Sequence, residues 1–242
     1  MWAMTRPKPI DVPSEVAPLR PAATVILLRD SAEGPEVWLM ERARTVGFMA
    51  SAWVFPGGRV DAADSDAACS ALPIDGVPKH FWVAAARELF EEAGIDFRVG
   101  GAWNLGGMRL WSHWLTPEIE PRRYDTWFFV ARLPAGQTAV ADGNEASRGG
   151  WFRPDAATRA AAAGELPLAP PTLRTLLELL PYQSVEQALT VSRRTPPICP
   201  RFLHDEETLY VLLPGDPEHP SPDRVEPPFR YAFAAGRWWE KQ

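Results

Sequence analysis

Three glutamates near the middle of the chain have the spacing of a metal site. They belong to the segment R-E-L-F-E-E-A-G-I at residues 87–95, which follows an F-P-G-G segment at residues 55–58. Glu88, Glu91 and Glu92 are spaced i, i+3 and i+4, so a helix would place the three carboxylates on one face. Carboxylates this close repel one another, and a bound divalent cation such as Mg²⁺ removes that repulsion. The pattern therefore predicts a metal site suited to phosphate groups.

The neighbours of the glutamates favour this interpretation over a solvated acidic helix face, which is the alternative. Arg87 can pair with a neighbouring carboxylate, and Gly94 provides a residue without Cβ where the helix would end, before the apolar Ile95. Upstream, Gly57 and Gly58 allow a tight turn and a close approach of the backbone to a ligand.

The segment at residues 87–95 resembles the second half of the Nudix box, G-x5-E-x7-R-E-U-x-E-E-x-G-U, where U is apolar. The first half differs. Counted from Gly58, Asp64 stands where the box has glutamate, and the arginine expected at position 72 arrives 15 residues later. This expanded box, and the string at residues 47–58, resemble the acyl-CoA and CoA diphosphatase branch of the family. The resemblance covers roughly residues 22–180.

The resemblance implies an α/β/α sandwich around a mixed β-sheet, and the alternation of strand-like and helix-like segments agrees with an α/β fold. The predicted regions are an extended N-terminal arm at 1–21, a Nudix hydrolase domain at 22–195 with an insertion at about 65–78, and a proline-rich C-terminal extension at 196–242. Within the extension, residues 208–213 and 229–234 could pair as a β-hairpin.

Periodicity predicts the elements that must position the glutamates. The expected strands are 22–29, 36–41, 126–133 and 150–153, with broken strands over 99–115, and the expected helices are 79–93, 154–163, 171–180 and 184–193. In the helix at 79–93 the apolar positions lie beside the carboxylate face, so the core and the site use different faces.

The resemblance also implies a chemistry, the hydrolysis of a diphosphate linkage by water with Mg²⁺ or Mn²⁺ as cofactor. The residues assigned to it are Glu92, Glu145 and Arg87 as catalytic, Glu88, Glu91, Glu92 and Gly58 as metal ligands, and Arg42, Arg59 and Gly57 as substrate-binding.

Several of these roles have alternatives. The general base is either a box glutamate or Glu145, which could equally be an exposed turn residue. Arg42 and Arg59 could bind phosphate or simply be solvated. Asp64 could take the role of the first box glutamate. His113 is better explained by packing in an aromatic strand than by acid catalysis.

The resemblance to the acyl-CoA and CoA diphosphatase branch implies CoA or acyl-CoA as the substrate. The expected products are 3′,5′-ADP and phosphopantetheine or its acyl form. A sequence pattern typical of CoA recognition is only partly present, so ADP-ribose or a dinucleotide is the alternative substrate. A catalytically silent nucleotide-binding module is a further alternative, although such modules usually lose the box carboxylates that this chain keeps. The C-terminal extension could also support a homodimer.

Composition narrows the class of protein. A net charge of −6 argues against nucleic acid as a partner. Cys69 and Cys199 lack metal-ligand spacing, which is typical of free thiols in a reducing compartment. Apolar runs fall short of the ~20 residues that cross a bilayer, so we expect a cytoplasmic protein without membrane contact.

Overall fold

The computed structural model describes residues 7–42, 52–70, 72, 76–143, 146–191, 193, 195–235 and 237–240. Its helices are α1 Ala62–Asp66, α2 Lys79–Ala93, α3 Pro154–Ala163, α4 Pro170–Leu179 and α5 Val185–Thr190. Its strands are β1 Lys8–Pro9, β2 Leu19–Ser31, β3 Gly34–Arg42, β4 Trp53–Val54, β5 Gly57–Arg59, β6 Arg98–Val99, β7 Ala102–Trp103, β8 Arg109–Leu115, β9 Arg123–Arg132, β10 Ala146–Phe152, β11 Pro197–Ile198, β12 Arg201–His204, β13 Leu209–Leu212, β14 Arg230–Ala234 and β15 Arg237–Glu240.

A mixed sheet forms the centre of the fold, with strand order β10-β3-β2-β9-β8-β11. β2 runs parallel to β9 from the pair Leu19–Arg123 to the pair Leu28–Arg132. The short strands β4 and β5 add to β3 and β2. Residues 25–28 of β2 have no exposed surface, because a strand covered on both faces is apolar throughout rather than alternating.

Helices cover both faces of this sheet, as the predicted α/β/α sandwich requires. On one face α2 packs against β2 residues such as Val25 and Leu27. On the other face α3, α4 and α5 pack against residues such as Ile26 and Leu28. The one-residue alternation along β2 therefore separates the two helical layers.

A second, antiparallel sheet has the order β1-β12-β13-β14-β15. In it β13 pairs with β14, with Leu209 opposite Phe233. Val211 and Tyr231 of this sheet belong to the same apolar cluster as Leu176 of α4. The C-terminal part of the chain thus packs on the helical layer formed by α3, α4 and α5.

The helices predicted at 79–93 and 154–163 begin and end where expected, and each is followed by a glycine in the left-handed conformation. Other expectations need correction. β2 begins at Leu19, inside the segment expected to be an extended arm, and α5 ends at Thr190 rather than at 193. The insertion predicted at about 65–78 overlaps the last two residues of α1, and within it Ser70 N–H donates to Trp103 O at 2.8 Å.

Within the described residues, no helix has both the length and the apolar character needed to cross a membrane.

Candidate active site

A cavity of about 820 Å³ opens beside α2 and the glycine turn. Eight of the nine predicted site residues line it; these are Arg42, Gly57, Gly58, Arg59, Arg87, Glu88, Glu91 and Glu92. Glu145, the ninth, lies outside the described residues. Residues scattered over some fifty positions of sequence therefore share one concave surface, which is where ligand sites are usually found.

The three glutamates of α2 differ in how firmly they are held. Glu92 is only 9% exposed, and its Oε2 accepts the N–H of Gly57 at 2.7 Å. The Glu88 side chain is largely buried, whereas the Glu91 side chain is 53% exposed. The innermost carboxylate is thus fixed to the glycine turn, whereas the outermost, Glu91, is not confined by packing.

Arg87 donates to Glu88 and Glu91 of α2 and to Asp64 of α1, and it uses all five of its N–H groups. Nε and Nη2 donate to Asp64 Oδ1 and Oδ2 at 2.9 and 3.0 Å. Nη1 donates to Glu88 Oε1 at 2.9 Å and to Glu91 Oε2 at 2.8 Å. Nη2 also donates to Arg59 O at 2.9 Å. The hydrogen bonds to Asp64, reinforced by Glu88, raise the pKa of Arg87 above its ordinary value, so its positive charge is permanent.

Asp64 is the buried half of this interaction, with 2% of its surface exposed. Its Oδ2 also accepts the N–H of Asp61 at 2.7 Å, which closes the first turn of α1. A buried carboxylate requires such partners, because its desolvation would otherwise be costly. The structure thus places Asp64 against Arg87, although the insertion separates them in sequence.

Gly58 allows the turn to lie directly against Glu88. A Cβ built on Gly58 would be 2.5 Å from Glu88 Oε1 and 2.6 Å from its Cδ. A side chain at this position is therefore incompatible with the observed place of the carboxylate, and glycine is required by close approach.

The donor chemistry of this cluster fits a divalent cation. Three carboxylates (Asp64, Glu88 and Glu91) accept hydrogen bonds from the Arg87 guanidinium, and Glu92 accepts one from Gly57 N–H, so these five side chains carry a net charge of −3 when all are ionised. Oxygen ligands of this kind suit Mg²⁺ and Mn²⁺. Among the described residues, however, no three acidic, histidine or cysteine side chains are arranged to hold an ion. Two of the glutamates face the guanidinium instead.

Of the other residues considered from the sequence, Arg42 and Arg59 lie at the cavity and His113 does not. Arg42 and Arg59 line the cavity and have exposed side chains. His113 lies elsewhere on β8, with Nε2 2.6 Å from Asp125 Oδ1 and its ring stacked on Trp127 at 3.9 Å. This packing agrees with the non-catalytic interpretation of His113.

The sequence alone did not indicate a second group of lining residues. Tyr124, Thr126 and Phe128 come from alternate positions of β9, and Pro171 and Thr172 come from the first turn of α4. The alternation in β9 was a usable signal, since it places three side chains on one face. The contribution of α4 depends on long-range packing and has no local signature.

The chain is similar to NUDIX proteins in both sequence and structure. The NUDIX domain model matches residues 18–176. The acyl-coenzyme A diphosphatase NUDT19 of Gallus gallus is 26% identical and that of Homo sapiens 25% identical, each over 76% of this chain and over 73% and 72% of their own lengths. A crystal structure of a NUDIX hydrolase from Alicyclobacillus acidocaldarius superposes with a TM-score of 0.67 at 26% identity, over 74% of this chain and 99% of that chain.

We expect Asp64→Asn to lower the free energy of unfolding by about 2–3 kcal/mol, because it leaves Arg87 without its charged, buried partner. Asp61→Asn is the matched control. The Asp61 side chain is 62% exposed and 3.9 Å from Arg87. Asparagine caps a helix as well as aspartate does, so the control should change stability by less than about 1 kcal/mol. Urea denaturation measures both, and equal losses would contradict the assignment.

Proposed function

The chain belongs to the NUDIX family of hydrolases, and we propose that it cleaves CoA or acyl-CoA with the help of Mg²⁺ or Mn²⁺. The products are 3′,5′-ADP and phosphopantetheine or its acyl derivative. One observation carries the proposal: the three glutamates of α2 line a single cavity together with the glycine turn and the arginines Arg42, Arg59 and Arg87. Carboxylates for a cation and guanidinium groups for phosphate are the parts that a diphosphate-cleaving site needs.

We assign Glu88, Glu91 and Glu92 as the side chains that hold the cation, with the backbone carbonyl of Gly58 as a further candidate ligand. When bound, the cation supplies positive charge to the diphosphate oxygens and acidifies a water molecule. Arg87 Nη1 donates to both Glu88 and Glu91, and the 53% exposure of the Glu91 side chain means that packing does not confine it there. The two hydrogen bonds to buried Asp64 hold the guanidinium in place independently of Glu91.

The chain's own residues define the rest of the reaction. Water attacks one phosphorus, the bond from that phosphorus to the bridging oxygen breaks, and the proton from water passes to a carboxylate base. Glu92 and Glu145 are the two candidates for that base. The N–H of Gly57 holds one oxygen of Glu92 and so fixes its orientation. Arg87 acts as a positioning residue, since it touches the carboxylates.

Arg42 and Arg59 are assigned to phosphate binding. Both residues line the cavity, and the planar fork of N–H donors of an arginine matches the oxygens of a phosphate. A CoA molecule has a diphosphate and a separate 3′-phosphate, so it presents two anionic groups to such a pair. The backbone of Arg59 is anchored by its carbonyl to Arg87, which fixes where its side chain starts.

The choice of CoA rests on relatives as well as on residues. The two vertebrate proteins are named acyl-coenzyme A diphosphatases and align with about three quarters of the chain. The expanded box, with Asp64 in place of glutamate, resembles that branch in sequence. ADP-ribose and dinucleotides contain the same reacting diphosphate and are the substrates that must be tested against CoA.

Product analysis tests the proposal directly. The purified protein is incubated with Mg²⁺ or Mn²⁺ and, separately, CoA, acetyl-CoA, ADP-ribose, NADH and a diadenosine polyphosphate, and the products are identified by mass spectrometry. We expect 3′,5′-ADP with phosphopantetheine or its acetyl form. AMP released from ADP-ribose alone would move the substrate to the second candidate. The absence of products with either metal would sink the proposed activity.

Removing one charge from the α2 cluster should abolish most turnover without unfolding the protein. We expect Glu91→Gln and Glu92→Gln each to lower kcat by at least about 100-fold, because an amide oxygen binds a hard cation less well than a carboxylate. Glu186→Gln on α5, whose side chain is 72% exposed, is the control and should be unaffected. Near-normal kcat in both cluster variants, with circular dichroism unchanged, would contradict the metal assignment.

Close approach at the glycine turn gives a further prediction. Gly58→Ala introduces a methyl group where Glu88 stands, so we expect activity or metal affinity to fall by about 10–100-fold. Gly107→Ala is the matched control, because a Cβ there meets no atom within 4 Å. Steady-state kinetics over a Mn²⁺ titration distinguishes the two variants. Equal behaviour of both would argue against Glu88 as a ligand.

A further inference from the structure

The first turn of α4 forms part of the cavity wall at a distance in sequence from the glutamates. Ala169, Pro171 and Thr172 line the cavity, and Thr172 is only 3% exposed. None of these three side chains carries a charge. Such a wall suits an uncharged, largely apolar group.

The chain leading into α4 is attached to the strand that supplies other lining residues. Trp53 N–H donates to Pro167 O at 2.7 Å, and Trp53 forms a parallel bridge with Leu168. Val54 and Phe55, which follow Trp53, line the same cavity. One end of the α4 wall is therefore fixed by backbone hydrogen bonding to β4.

Arg174 fixes the helix from its buried side, three residues after Pro171. It is 2% exposed, and its Nε donates to Glu178 Oε1 at 2.6 Å. Nη1 donates to Pro228 O at 2.7 Å, and Nη2 donates to Glu226 O. The guanidinium therefore joins α4 to the segment that leads into β14, well outside the part of the chain matched by the NUDIX domain model.

Glu178 is held in turn by two further donors, so the fork of Arg174 has a fixed orientation. Trp111 Nε1 donates to Glu178 Oε2 at 2.9 Å, and Arg193 Nη2 lies 2.6 Å from the same oxygen. Side chains that are locked by packing and hydrogen bonds in this way hold a site more accurately than exposed ones.

We propose that Arg174 is a positioning residue for substrate: by joining α4 to the segment at residues 226–228, it sets the wall of Ala169, Pro171 and Thr172 that contacts the substrate beyond its diphosphate. This inference rests on the proposed function, which assigns the diphosphate to the carboxylate end of the cavity. The C-terminal extension thereby influences which substrates fit by holding α4 in position through Arg174. Arg174 itself does not contact the substrate.

The test is a comparison of Arg174→Lys with the wild-type enzyme on acetyl-CoA and Mg²⁺. Lysine keeps the charge beside Glu178 but lacks the fork that reaches two carbonyls. We expect KM to rise about tenfold while kcat stays within about threefold, because the lost contacts bind ground state and transition state alike. The inhibition constant of inorganic pyrophosphate should not change, since pyrophosphate lacks the part of the substrate that reaches the wall.

Arg159→Lys is the matched control, because Arg159 on α3 also pairs with a carboxylate four residues away but is 71% exposed. It should leave KM unchanged. A purely structural role of Arg174 would reduce the folded fraction, which lowers apparent kcat and leaves KM as it was; that result overturns the proposal. A pyrophosphate inhibition constant that rises together with KM also overturns it.

If Arg174→Lys does not fold, Glu178→Gln provides a second route, since it keeps the size of the side chain and removes the charge that orients Arg174. A rise in KM without a rise in the inhibition constant of pyrophosphate supports the proposal, and an unchanged KM in the folded variant overturns it.

If the wild-type protein cleaves none of the substrates, that result contradicts the proposed function but not the role of Arg174. Calorimetric affinities for acetyl-CoA then test that role. Weaker binding by the variant supports the proposal, while equal affinity, or no wild-type binding, overturns it.

Discussion

The whole site depends on one guanidinium group. The five N–H groups of Arg87 donate to three segments of the chain. They reach the glycine turn through Arg59 O and helix α1 through Asp64. They also reach Glu88 and Glu91 on the helix of Arg87 itself. Without Arg87, buried Asp64 would lack a cationic partner, and the neighbouring carboxylates would repel one another. The turn, the short helix and the carboxylate face take up their mutual positions around this charge.

That dependence explains which parts of the site were predictable from sequence. The bounds of α2 and the shared face of its glutamates follow from spacing within one helix and from Gly94 at its end, so local rules were sufficient. The partner of Arg87 was not predictable with the same certainty, because the 15-residue expansion removes the fixed spacing to Asp64. The carboxylate of Asp64 comes to 2.9 Å from Arg87 Nε only when the chain is folded.

Helix α1 is a second element that the sequence pattern does not predict, because its stability comes from tertiary contacts. Five residues are too few for a helix to persist through intrinsic propensity. Its first turn is closed by the hydrogen bond from Asp61 N–H to Asp64, and Asp64 is anchored by Arg87. A search for periodicity has nothing to find in such a segment, since tertiary pairing rather than patterning stabilises it. Helix α1 was therefore not among the helices that periodicity predicted.

The two key arginines also divide the site into a part that reacts and a part that selects. CoA, ADP-ribose and dinucleotides present the same diphosphate, so a carboxylate cluster organised by Arg87 cannot distinguish them strongly. Discrimination must come from groups that meet the remainder of the substrate. The uncharged wall of α4, held through Arg174 to carbonyls of the C-terminal segment, meets that requirement. A charged residue in the core would ordinarily be assigned to the surface from sequence. Spacing shows that Glu178 can pair with Arg174, but the two carbonyls that Arg174 also reaches lie more than fifty residues away. Under the proposed function, substrate choice is thus expected to depend on residues that no short motif marks, and the chemistry on residues that one motif marks.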